Sequence, residues 1–136
     1  MKDETFPLNI LNERSRWDLI AQIKDYSPAL QSLEDDELYR LLFEIPNSLS
    51  IGKGFRDPAE LSSQFNDRAI DSSVVKNYTQ MVVDGTEFDP VFVRDEEFVD
   101  GGHRVQAYVN AKKSLIPVIN LSPLYRIDWQ DWLDNP

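Results

Sequence analysis

The stretch Val99-Asp100-Gly101-Gly102-His103-Arg104 constrains this chain most, because the backbone must pass from strand to helix within it. Upstream, Pro90-Val91-Phe92-Val93 and Glu97-Phe98-Val99 read as two short strands around the polar turn Arg94-Asp95-Glu96. Downstream, Val105, Tyr108, Val109 and Lys112 follow helical spacing. A helix that begins at such a junction has backbone N–H groups without partners in its first turn. Glycines there let a phosphate or carboxylate approach without a Cβ in the way. His103 and Arg104 then fall in the first turn, beside any bound anion. Arginine offers a planar fork of donors that matches phosphate, and histidine can donate, accept or move a proton near neutral pH. The plainer reading is a tight turn, with Asp100 as an ordinary N-cap and His103 and Arg104 as a surface pair.

The run Phe98-Val99-Asp100-Gly101-Gly102-His103-Arg104-Val105-Gln106-Ala107, preceded by Asp89-Pro90-Val91-Phe92-Val93 and followed by Ile116-Pro117-Val118-Ile119, resembles the ParB/sulfiredoxin superfamily over about Ser73 to Leu121. Members carry a Pro-headed strand, an Asp-Gly-x-His-Arg or Gly-x-x-Arg turn, a helix and an Ile-Pro-Val strand. The resemblance implies nucleotide-phosphate binding at Asp100, Gly101, Gly102, His103 and Arg104, with ATP or CTP as the nucleotide and Mg²⁺ accompanying it. It also implies that the loop after the first core strand borders the pocket, which brings in Lys53, Arg56 and Asp57.

Departures from the pattern narrow the chemistry. Sulfiredoxins place a reactive Cys immediately before the His-Arg pair, where this chain has Gly102, and it contains no Cys. Sulfinic acid reduction is therefore excluded. Partition proteins append a helix-turn-helix domain, for which the short stretch after Leu121 leaves no room. Free serine kinases place a catalytic Glu just after the first strand, and the nearest carboxylates here are Asp57 and Glu60.

The 136 residues are 41% hydrophobic and 28% charged, the composition of a globular protein and enough for one domain. The expected organisation is a helical segment over 1–46, a ParB/sulfiredoxin-like core over 47–121 and a C-terminal helix over 122–136. The formal net charge of −10 argues against an extended nucleic-acid track, though not against a mononucleotide. No apolar run reaches membrane-spanning length and the first residues do not read as a signal peptide, so a cytoplasmic protein is expected.

In chain order, an irregular start leads to a helix capped at Ser15 and carried by Leu19, Ile20 and Ile23, interrupted at Ser27-Pro28. A second helix is expected from Ser32 to Pro46, with Glu34, Asp35, Asp36 and Glu37 favouring its first turn rather than forming a metal site. Asn47 to Ile51 reads as a strand ended by Gly52-Lys53-Gly54, and a short helix follows around Ala59 to Phe65. Arg68 lies in the polar stretch after it, where a surface ion pair is a plainer role than phosphate contact. The spacing of Val74, Val75, Tyr78, Met81 and Val82 predicts a core-facing helix closed by Gly85. Pro117 places the Leu115 to Leu121 strand near an edge or at a strand start. Leu124 to Leu133 reads as a terminal helix whose Trp129 and Trp132 dock on the core.

These observations predict an α+β fold, a small mixed sheet with surrounding helices, and a nucleotide-dependent enzyme acting by phosphoryl transfer or NTP hydrolysis on an acceptor the sequence does not identify. In that scheme Gly101 and Gly102 present N–H groups, with Arg104 neutralising charge on the leaving group and His103 orienting phosphate or moving a proton. Asp100 caps the helix or holds Mg²⁺ through a water, and Asp57 or Glu60 activates the acceptor. Two alternatives stand beside it. One is a non-catalytic nucleotide-sensing module that meets a protein partner through its acidic surface; the other is a ParB-like nuclease or toxin domain.

Overall fold

A computed structural model of the chain describes residues 3–65 and 70–135. The fold is α+β. Five strands form one mixed sheet in the order β1-β2-β5-β3-β4, where β1 is Glu4–Pro7, β2 Ser50–Arg56, β3 Val91–Arg94, β4 Glu97–Asp100 and β5 Ile116–Asn120. The helices are α1 (Glu13–Tyr26), α2 (Pro28–Gln31), α3 (Asp35–Tyr39), α4 (Pro58–Ser62), α5 (Ser72–Val83), α6 (Gly102–Asn110), α7 (Ser122–Tyr125) and α8 (Trp129–Asp134). The chain divides into two compact units, one of residues 1–4 and 53–121, the other of residues 5–52 and 122–136.

In the first unit, β3 and β4 make a tight hairpin. Arg94 pairs with Glu97 across it, and Asp95 takes a left-handed conformation (φ 55°) that an Asp at a two-residue turn accommodates. The pairing slips between Phe92 and Val93, so that Val99 is bulged and Asp100 comes opposite Phe92. β3 also pairs in parallel with β5, Phe92 opposite Ile119. Alternating Val91 and Val93 from β3 and Ile116 and Val118 from β5 meet Leu61 of α4 and Val105 of α6, all essentially inaccessible, with Phe65, Phe98 and Tyr108 packed around them. Each such aliphatic side chain contributes roughly 1.5 to 3 kcal/mol by leaving water. Pro117 is the second residue of an interior strand, tolerated because it stands at the strand's start.

Several local expectations are corrected. Glu4–Pro7, expected to be irregular, is a strand, and β2 begins at Ser50 and runs on through Gly52-Lys53-Gly54 to Arg56 instead of ending there. Gly54 serves close approach: a Cβ at this position would collide with the Asp3 carboxylate. Met81, expected in the core, is exposed, because Val75 and Val82 carry the buried line of α5 and residue 81 lies about 100° around the helix from 82.

In the second unit, α1 starts three residues earlier than a cap at Ser15 would have it. Asn12 is the cap, accepting from the Ser15 N–H at 2.9 Å, and Ser15 is itself buried. Glu34, not Ser32, occupies the cap position of α3, whose first turn holds Asp35, Asp36 and Glu37. The helix then widens into a π turn over Arg40–Glu44 before Pro46. The C-terminal stretch is two short helices rather than one, the second capped by Asp128, which accepts from the Asp131 N–H at 3.1 Å. Trp129 is buried, donates Nε1–H to the Leu124 carbonyl and meets Trp132 edge-on, while Tyr125 packs edge-on against Tyr26 of α1. The C-terminus is thus docked on the helices of the N-terminal segment. No helix among the described residues is long and apolar enough to cross a membrane.

Candidate functional site

The turn between β4 and α6 is built by the bulge at Val99 and by Gly101, which holds φ 112° and ψ 31° as the N-cap residue of α6. An L side chain rarely adopts that conformation. Gly101 carries no side-chain acceptor, and its carbonyl takes the Val105 N–H at 3.0 Å. The N–H groups of Gly102, His103 and Arg104, the first turn of a nine-residue helix, have no hydrogen-bond partner among the described residues. Asp100 does not cap them, since Gly101 stands at the cap position. The Asp100 carboxylate is half-buried and makes no hydrogen bond or ion pair among the described residues.

The two glycines serve packing. A Cβ on Gly101 would lie 2.6 Å from Val91 Cγ1, and one on Gly102 would lie 2.9 Å from Ile70 Cδ1, with Phe65 and Phe98 at 3.8 Å. The volume that the sequence reading left for a ligand beside the glycines is therefore filled by the chain's own side chains.

His103 Nε2 accepts the Asp71 backbone N–H at 3.0 Å, which leaves the ring proton of the neutral imidazole on Nδ1. Asp71 in turn caps α5, accepting from the N–H groups of Ser73 and Val74 and from the Ser73 hydroxyl. The hydroxyl bond first, and then the helix N–H groups, hold its carboxyl below the ordinary Asp value. The starts of α5 and α6 are thereby tied together.

Arg104 Nη1 donates to the carbonyls of Asp89 at 2.9 Å and Pro90 at 3.1 Å, fastening the segment that leads into β3. A guanidinium so placed is a structural clamp. Arg104→Ala is expected to lower stability by about 1.5 to 3 kcal/mol, the cost of leaving charge-assisted acceptors unmet, read as a lower urea midpoint. Arg104→Lys, which carries a single ammonium on a shorter stem in place of the planar guanidinium, should recover only part of it.

The candidates around β2 and α4 are also accounted for. Arg56 forms a two-pronged ion pair with Asp3, Nη1 to Oδ1 at 2.8 Å and Nη2 to Oδ2 at 2.7 Å, and donates to the Asp95 carbonyl. Asn120 donates to the same Asp3 carboxylate at 2.9 Å and accepts the Asp95 N–H at 2.9 Å. Asp57 caps α4 through the Ala59 N–H, Glu60 is exposed on the first turn of α4, and Lys53 is exposed on β2. Arg68 lies outside the described residues. Among the described residues, no three His, Cys, Asp or Glu side chains converge as a metal site.

Residues the sequence reading missed are Asp3, Asn120, Asp71 and Gln64. The Gln64 amide accepts from the Phe98 N–H and donates to the Glu96 carbonyl, which closes the outer edge of β4. Asp71 was findable, since Asp followed by Ser72 and Ser73 before an apolar period is an N-cap signature. Comparison with family models, curated proteins and solved structures finds no match to this chain.

Proposed function

We propose that the chain is a nucleotide-binding module of ParB/sulfiredoxin type, with the first turn of α6 as its phosphate seat. The observation that carries this reading is the set of three N–H groups, at Gly102, His103 and Arg104, that have no partner among the described residues, on a helix without a side-chain cap. Such a terminus carries a partial positive charge that favours phosphate even in a protein of net charge −10. Binding without turnover is favoured because the candidate catalytic groups have other tasks. Arg104 clamps a loop, His103 joins two helices, and Asp57 caps α4.

Phosphoryl transfer or NTP hydrolysis is a second reading, and Asp100 supports it. A carboxylate that makes no bond among the described residues, beside a phosphate seat, suits Mg²⁺, which takes one or two carboxylates, the nucleotide's own phosphates and water. In that scheme Asp100 would hold the water shell of Mg²⁺ brought in with ATP or CTP, and the ion would supply charge neutralisation at the phosphates.

Calorimetric titration with pyrophosphate, ATP, ADP, CTP and GTP in Mg²⁺ tests both. The native protein should bind saturably, and His103→Glu should weaken binding by about tenfold or more, since its carboxylate competes for the same N–H groups and the helix dipole favours it there. No binding to the native protein, or equal binding to the variant, overturns the seat. Release of labelled phosphate at a rate that falls in Asp100→Asn would establish the second reading over the first.

A further inference from the structure

The second unit carries a groove of about 320 Å³ where the π turn over Arg40–Glu44 runs out into Pro46. The buried Leu8, Leu42 and Leu49 line it with Phe43 and Ile45, and Glu44 is its charged member. A second hollow of about 150 Å³, lined by Leu41 and Trp132, shares Ile45, Pro46 and Asn47 with the first, so the two meet at that segment. We infer that this surface docks a segment of a partner protein in which bulky apolar side chains stand among basic ones. It lies wholly within the second unit and does not involve α6.

The surface is formed in advance of any partner. The π turn gives the Arg40 carbonyl the Ile45 N–H, and the next donor in that series falls on Pro46, which has none. The Asn47 side chain takes its place, its Nδ2 donating to the carbonyls of Leu41 at 3.1 Å and of Leu42 and Ile45 at 3.0 Å, while its Oδ1 accepts the Leu49 N–H. The segment is thereby held extended, with Ile45 41% exposed, and binding need not order it. Apolar exposure also gathers here. Phe43 meets Tyr39, Tyr39 stacks on the exposed Trp17 at 4.6 Å, and the exposed Ile10 follows Asn9 of the groove lining. A contiguous apolar patch with a polar rim marks an interaction site, and Trp and Tyr are favoured anchors within one.

Charge decides the kind of partner. The unit holds eleven acidic and five basic side chains. The carboxylates of Glu44 in the groove and of Asp131, next to Trp132, make no hydrogen bond or ion pair among the described residues. Of the basic groups, Arg16 lies over Phe43 and donates to the carbonyls of Leu11 and Asn9, and Arg40 lines neither hollow. A symmetric pair of copies would set this acidic patch against itself, which like charges oppose. An arginine or lysine from a different protein instead finds the Glu44 and Asp131 carboxylates and the Trp132 ring, while its apolar neighbours fill the hollows.

The test is selection from a phage-displayed library of random peptides of about twelve residues on the full chain, followed by fluorescence polarisation of a selected peptide. The selected sequences should combine bulky apolar residues with arginine or lysine. Ile45→Asp and Glu44→Lys, both at exposed positions, should each weaken the peptide by about tenfold or more while the melting temperature stays native. No selection above that on Ile45→Asp, selected peptides without an excess of basic residues, or an affinity that either variant keeps overturns the docking surface. A dimer of the native protein in sedimentation velocity that Ile45→Asp dissociates also overturns it, since the occupant is then a second copy of this chain.

Discussion

Gly101→Ala is expected to destabilise the protein by about 2 to 5 kcal/mol. Two costs combine. Alanine at φ 112° carries left-handed backbone strain, and its Cβ would sit 2.6 Å from Val91 Cγ1 and 2.8 Å from Val91 Cβ. Val91 has nowhere to go: it is fully buried on a strand paired on both sides, by β4 and by β5. Gly85→Ala separates the two costs. Gly85 has φ 91°, yet nothing lies within 4 Å of its Cβ position, so its replacement should cost only the strain, about 1 to 2 kcal/mol. Urea midpoints that fall equally in the two variants would mean that the turn does not press against β3. A much larger fall at Gly101 would mean that this glycine is required by the core before it is required by any ligand.

That distinction bears on what could be read from the sequence. The hairpin and the strand-to-helix switch were legible because apolar alternation in Val91-Phe92-Val93 and Phe98-Val99 gives way to a helical period at a Gly-Gly pair, all within local reach. The roles of the polar residues were not, because the same chemistry serves either purpose. A guanidinium that fits phosphate also fits two backbone carbonyls, and only the positions of Asp89 and Pro90 decide that Arg104 does the latter. β1 escaped notice because Glu4-Thr5-Phe6-Pro7 is short and mostly exposed, so no alternation marks it. Sequence alone ends the second strand at Gly52-Lys53-Gly54 because glycine ordinarily weakens strands, and the reason for Gly54 lies in Asp3, far away in sequence.

The Asp3–Arg56 pair is the long-range contact with the largest expected effect. Asp3→Asn should lower stability by about 2 to 4 kcal/mol, because it leaves the Arg56 guanidinium, only 9% exposed at its side chain, with the exposed Glu96 carboxylate at 3.5 Å in place of its two-pronged partner. Arg56→Met should cost a similar amount by stranding the Asp3 carboxylate, 14% exposed, with Asn120 as its remaining side-chain donor among the described residues. A double-mutant cycle should return a coupling of about 1 to 3 kcal/mol; additive effects would mean that the two side chains do not act as a pair. Acid titration gives an independent reading. The bond to Arg56 holds the Asp3 carboxyl below its ordinary value of 3.8, outweighing the opposing effect of burial. A carboxyl depressed on folding stabilises the folded chain well above its unfolded value, and that contribution is lost as pH falls through the folded value. Stability should therefore decline below about pH 4 in the native protein, with a shallower decline in Asp3→Asn. Glu13 and Asp71, also held low by hydrogen bonds, keep part of the acid limb in that variant. An unchanged slope would place the acid sensitivity wholly in those two and remove Asp3 from the account.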